Sequence, residues 1–135
     1  MILDTSVLYD VVVDGARSET ARTFIREAQS LWCPELVRIE MASALTRAVR
    51  RRELGNEAAQ AAYRVAVDLV PDVENNAPLL PRAFEMSLDL GHPFADCVFL
   101  ALAETRSVRL ATSDARFARK LTGTSYARLI HLIEA

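Results

Sequence analysis

The sequence predicts an α/β fold: a three-layer α/β/α sandwich with a short, mainly parallel central sheet. Three observations carry that expectation. Short apolar segments alternate with stretches of helical periodicity, and residues that start or stop helices fall between them. Two of the apolar segments also end in similar polar writing, ILDTS at residues 2–6 and RLATSD at residues 109–114. Short strands separated by helices imply parallel pairing, with helices covering both faces of the sheet.

Taken in order, Ile2-Leu3 reads as a buried strand, and Ser6 is placed to cap a helix over 7–13 that Gly15 breaks. Ser18 is a cap for a helix over 19–29, with Ala21, Phe24, Ile25 and Ala28 at helical spacing. A second strand is expected at 31–33. Pro34 then suits the first turn of a long helix to about residue 52, whose stripe is Val37, Met41, Ala44, Leu45 and Ala48. After Gly55, Asn56 caps a helix to residue 69. Residues 70–73, interrupted by Pro71, fit only an edge strand. The spacing predicts helices over 78–90, stopped by Gly91, and over 94–105. A third clear strand covers 108–111, Ser113 or Asp114 caps a helix through Leu121, Gly123 ends it, and 127–133 is a last strand.

The chain has 135 residues, enough for one substantial core, so a single domain over 1–135 is expected. Hydrophobic residues make up 51% and charged residues 25%, which excludes a disordered chain. No 18-residue apolar run and no basic leader with a long apolar segment is present, so no membrane partner is expected and the cytoplasm is the default location. Cys33 and Cys97 are isolated in apolar surroundings, which argues against a thiol–metal site. A net charge of −2 excludes a protein that coats nucleic acid by bulk charge. All but one of the Lys and Arg residues are Arg, the side chain suited to bidentate phosphate contacts, although abundant Ala points equally to nucleotide composition.

Function is written in the acids. In PFADCVFLALA, residues 93–103, Asp96 shares a helix face with Phe99, Leu100 and Ala103 and points at the core. An ionised carboxylate there loses water and needs compensation, which the helix N-terminus alone can supply. Three further acids make that reading insufficient. Asp4 and Asp114 follow two strands directly or nearly so, on the rim where open parallel sheets bind ligands. Glu40 lies near the apolar stripe of its helix, within LVRIEMASAL. Two carboxylates about 4 Å apart repel by roughly 4 kcal/mol at an effective dielectric near 20, so such a cluster takes up protons or holds a cation. Oxygen-only ligands select Mg²⁺ or Mn²⁺.

Asp4 in ILDTS, Glu40 in LVRIEMASAL, Asp96 in FADCVFLALAE and Asp114 in LATSDARF, in that order, resemble the PIN-domain ribonucleases, especially VapC-type toxins of bacterial toxin–antitoxin pairs. The resemblance spans essentially the whole chain. One departure is Ala95 before Asp96, where family members often carry an aromatic residue; the acid itself is intact. The resemblance implies a Mg²⁺- or Mn²⁺-dependent endoribonuclease, with Asp4, Asp96 and Asp114 as metal ligands and Glu40 as ligand or water-orienting base. It also implies a homodimer and an antitoxin partner. The alternative is a catalytically inactive PIN-fold module that binds RNA or protein.

Thr5, Ser6, Thr112 and Ser113 are candidates to hydrogen-bond a carboxylate or phosphate, and capping explains them as well. Arg47, Arg50, Arg51 and Arg52 close the Glu40 helix, where the dipole favours cations; all four are equally candidates to track RNA phosphates, Arg47 and Arg51 foremost. Arg116 is a third candidate RNA contact. His92 is either a loop residue or a proton-transfer group near Asp96, and His131 is expected to be structural.

Overall fold

In the computed structural model, which describes residues 1–134, five short strands and seven helices follow one another in the expected alternation. They are β1 (Ile2–Leu3), α1 (Thr5–Val12), α2 (Ser18–Glu27), β2 (Cys33–Pro34), α3 (Leu36–Arg50), α4 (Asn56–Leu69), β3 (Val73–Glu74), α5 (Leu80–Leu90), α6 (Phe94–Arg106), β4 (Leu110–Thr112), α7 (Ala115–Leu121) and β5 (Ile130–Leu132). Short 3₁₀ turns at Ala77–Leu79 and Ala127–Leu129 lead into α5 and β5.

All pairings are parallel. β4 lies between β1 and β5, β2 pairs with β3, and a single bridge from Ile2 to Trp32 joins the two groups. The strands therefore run β3-β2-β1-β4-β5 across the molecule. Right-handed crossovers on that order put α1–α4 on one face and α5–α7 on the other, the three-layer arrangement the alternation predicts. α1 packs on α2, α3 and α4, whereas α6 packs on α5, β1, β2 and β4.

The core is continuous through the sheet. Ile2, Leu3, Leu110 and Ala111 are fully buried, and residues 97–103 of α6 are buried all round, so that helix is a central element rather than an amphipathic cover. Gly91 ends α5 in the left-handed conformation at φ 59°, as its position after Leu90 predicts.

Several expected details are corrected. Ser6 does not cap α1; Asp4 does, accepting from the Thr5 N–H, and Ser6 lies inside the first turn. Ser18 begins α2 rather than capping it, and ties the preceding loop through the Gly15 N–H and the Val13 carbonyl. Asn56 likewise begins α4, with Gly55 as its cap. Pro34 belongs to β2, not to α3. Register explains the proline: one step past the Ile2–Trp32 and Leu3–Cys33 positions, β1 has already turned into α1 and offers Pro34 no strand partner. The edge strand expected over 70–73 forms instead at Val73–Glu74, beyond Pro71, because Val70 still caps α4.

Candidate functional site

The order β3-β2-β1-β4-β5 reverses direction between β1 and β4, and a doubly wound sheet opens its crevice beyond the carboxyl ends of those two strands. Asp4 directly follows β1, and Thr112, Ser113 and Asp114 close β4 or follow it. Pairing of Leu3 with Ala111 fixes the two ends side by side, and the Asp4 N–H donates to the Ala111 carbonyl at 2.9 Å.

Asp4 is only 5% exposed and its carboxylate is fully engaged: Oδ1 accepts from the Thr5 N–H at 3.0 Å, while Oδ2 accepts the hydroxyls of Ser6 at 2.8 Å and Thr112 at 2.7 Å. Thr112 Oγ1 in turn accepts the Asp114 N–H at 3.0 Å. Asp114 caps α7, its Oδ1 taking the N–H groups of Arg116 and Phe117. From α3, Glu40 Oε1 accepts the Thr5 hydroxyl at 2.7 Å. From the first turn of α6, Asp96 Oδ2 lies 2.6 Å from His92 Nε2.

Electrostatics tie the four acids into one group. Burial pushes the Asp4 carboxyl up to about 6; the nearby Asp96 and Glu40 charges add to the rise, and the Thr112 and Ser6 hydrogen bonds oppose it. Glu40 is raised by burial and by Asp96, against the Thr5 hydrogen bond. Asp96 is raised by burial and by Asp114, against His92. Burial dominates each case, and each acid feels another. Among the described residues none of the four makes a Lys or Arg ion pair, and their one charged-type partner is His92.

No three Asp, Glu, His or Cys side chains among the described residues stand as a preformed metal cage. Neutral hydroxyls, backbone amides and one imidazole hold the carboxylates individually, leaving Glu40 Oε2, Asp96 Oδ1 and Asp114 Oδ2 outside those bonds. A donor set of oxygens, desolvated, mutually repelling and lacking a cationic side chain, fits a hard divalent cation.

Thr5, Ser6 and Thr112 thus serve the acids, as their positions predict. Ser113 does not: its side-chain oxygen is buried without a partner, and only its N–H reaches the group, donating to Ser6 Oγ. Arg47 and Arg51 border a groove that begins at Thr5 and Ser6, whereas Arg50 faces a separate cavity between α3 and α4. That second cavity, of about 540 Å³, is lined mainly by residues such as Leu45, Val49 and Tyr63 and contains none of the acids. Arg116 is exposed at the start of α7, two residues from Asp114. His92, which the sequence leaves open between a loop residue and a proton-transfer group, stands against Asp96. Its ring stacks on Phe117 of α7 with centroids 4.4 Å apart, its side chain is 11% exposed, and its carbonyl accepts the Ser87 hydroxyl at 2.6 Å. The available signal was the spacing of four between His92 and Asp96.

An α/β domain with acids gathered at its switch point is the class that fold and site define. The chain belongs to the PIN domain family, whose profile matches residues 1–120. It is 33% identical to Ribonuclease VapC1 of Mycobacterium tuberculosis over 121 residues, covering 87% of each chain. It is 29% identical to Ribonuclease VapC3 of Pyrobaculum aerophilum over 122 residues, 89% of this chain and 93% of the relative. The fold matches that of VapC20 from M. tuberculosis, described as a sarcin–ricin-loop-cleaving toxin, with a TM-score of 0.67 at 22% identity over 94% of this chain and 98% of that one. It also matches a toxin–antitoxin complex from Klebsiella pneumoniae, with a TM-score of 0.66 at 16% identity over 96% and 94%.

Proposed function

We propose that this protein is the ribonuclease toxin of a toxin–antitoxin pair, an endoribonuclease that hydrolyses RNA phosphodiester bonds with Mg²⁺ or Mn²⁺. One observation carries the reading: four carboxylates, from the end of β1, α3, the first turn of α6 and the β4–α7 junction, gather at the switch point of a parallel sheet, where burial and neighbouring acid charge raise Asp4, Glu40 and Asp96. The names of the VapC relatives and the toxin–antitoxin neighbour support the activity, the RNA substrate and an antitoxin partner. The presence of all four acids disfavours an inactive binding module.

Asp4, Asp96, Asp114 and Glu40 would hold the cation. When bound, such an ion polarises a phosphoryl oxygen, lowers the pKa of water and offsets charge on the leaving oxygen. This chain's own residues do the rest. Thr112, Ser6 and Thr5 keep the carboxylates aimed inward, and His92 fixes Asp96 from the far side. Glu40, raised by burial, is the acid suited to orient the attacking water and accept its proton.

We extend the reading to a homodimer acting in the cytoplasm. Leu80, Phe84 and Leu88 form an exposed apolar stripe at spacing of four along α5, with exposed Phe94 at the start of α6 beside Asp96, and both cysteines are free thiols.

The test is direct. A single-stranded RNA incubated with the purified protein should be cut with Mg²⁺ or Mn²⁺, spared with EDTA, and spared by Asp4→Asn and Asp96→Asn. Cleavage that survives EDTA or either substitution rejects the proposal.

A further inference from the structure

The groove of about 350 Å³ between α1 and the second half of α3 starts at Thr5 and Ser6, beside Asp4 and Glu40, and runs away from them. Thr5 and Ser6, the hydroxyls bonded to Glu40 and Asp4, form its near end. Ala44 and Ala48 form its floor, Tyr9 borders it from α1, and Arg47, Arg51 and Arg17 surround it. Helical geometry makes this arrangement directional. Glu40, Ala44, Arg47, Ala48 and Arg51 share one face of α3, and a rise of about 1.5 Å per residue sets Arg47 roughly 10 Å and Arg51 roughly 16 Å beyond Glu40 along the axis. The two alanines between keep that face low. Arg50, one position away from Arg51, points instead into the apolar cavity beside α4, so the four arginines that end α3 are not one undifferentiated cationic cap.

These three arginines differ from several others in the chain. Arg22, Arg26, Arg82 and Arg106 are each paired with an Asp or Glu. Arg17, Arg47 and Arg51 are exposed and, among the described residues, make no ion pair. Asp10 and Glu53 also border the groove, leaving three guanidinium groups against two carboxylates, and neither acid is within ion-pair distance of them. Guanidinium groups left uncommitted along a groove that opens from an acidic centre suit the phosphates of a strand whose scissile bond lies at that centre.

Building on the ribonuclease reading, we propose that this α1–α3 groove is a backbone subsite for single-stranded RNA, in which Arg47 and Arg51 bind successive phosphates of the strand leaving the acidic site and Arg17 closes over it. The subsite reads charge and spacing, not base identity. It sets the direction in which the strand threads past Asp4 and Glu40.

Equilibrium binding of a fluorescein-labelled 20-nucleotide single-stranded RNA, followed by anisotropy in EDTA over a range of NaCl, tests it without cleavage. Arg47→Gln and Arg51→Gln should each weaken binding about 3- to 10-fold and reduce the slope of log affinity against log salt by about 0.7, the value for one lost single-strand phosphate contact. Arg64→Gln, on α4 at the separate α3–α4 cavity, makes the same change in net charge outside the groove and should leave the slope unaltered. Equal effects of the three substitutions, or no binding by the unmodified protein, overturn the subsite. Cleavage in MnCl₂ is scored separately: arginine-dependent binding without any cleavage would reject the ribonuclease reading and leave the groove standing, whereas cleavage with unchanged binding in Arg47→Gln and Arg51→Gln would reject the groove alone.

Discussion

Thr112 donates its hydroxyl proton to Asp4 Oδ2 at 2.7 Å, joining the ends of β4 and β1 across 108 positions of sequence. The same hydroxyl oxygen accepts the Asp114 N–H, so one fully buried side chain positions two acids. Thr112→Val keeps the shape and removes both bonds. It should destabilise the fold by about 1–3 kcal/mol, because a buried carboxylate and a backbone amide lose their partner, and it should lower RNA cleavage as well. Thr112→Ser should restore most of both in urea unfolding and cleavage assays.

Asp4 makes stability depend on pH in a defined direction. Its carboxyl sits at about 6 in the fold against an ordinary 3.8, so between those values the folded protein binds the proton that the unfolded chain releases. Below about 3.8 the group is neutral in both states and imposes no penalty. The penalty grows as pH rises and is complete above about 6, on the order of 3 kcal/mol. Raised Glu40 and Asp96 act in the same sense. Metal-free protein should therefore melt at a higher temperature at pH 5 than at pH 7.5, and Asp4→Asn should flatten that difference. A melting temperature that climbs from pH 5 to 7.5 would count against the cluster.

His92 holds Asp96 on one side and stacks on Phe117 on the other. Replacing it with Phe keeps the stack and removes the imidazole. Cleavage should fall about 10- to 100-fold, the usual effect of losing a partner that orients a ligand, with little change in melting. Unaltered cleavage by His92→Phe would show that Asp96 needs no such support.

Away from the site, Arg82 clamps α5 to α6. Its guanidinium takes both Glu104 oxygens, at 2.8 and 3.0 Å, and lies over the Tyr126 ring. The pairing holds the Glu104 carboxyl below its ordinary range. Arg82→Lys cannot form the fork and should lose about 1 kcal/mol or less in urea unfolding, without affecting cleavage at saturating RNA.

Asp4, Glu40, Asp96 and Asp114 were legible in the sequence because each is a charge at an address meant for apolar or strand-end residues. The strand order was harder to read, since β1 and β2 are two residues long and meet through one bridge. Caps were misplaced for a local reason. In Asp4-Thr5-Ser6 three adjacent side chains can all accept from the helix N-terminus, and only the distant Thr112 and Glu40 decide which does. Ser113 followed the same logic in reverse: it stands beside Thr112, but it lies one residue past the end of β4 and its buried hydroxyl meets no partner. The groove arginines were undecidable from the end of α3 alone, because separating Arg47 and Arg51 from Arg50 requires knowing where α1 and α4 pack.

Titration calorimetry of Mn²⁺ into the metal-free protein addresses the shared centre most directly. Binding should occur in the unmodified chain and weaken at least tenfold in each of Asp4→Asn, Glu40→Gln, Asp96→Asn and Asp114→Asn, while all four stay folded. Mn²⁺ affinity indifferent to Asp4→Asn and Asp96→Asn would contradict it, leaving four acids that neighbour one another without a common ion.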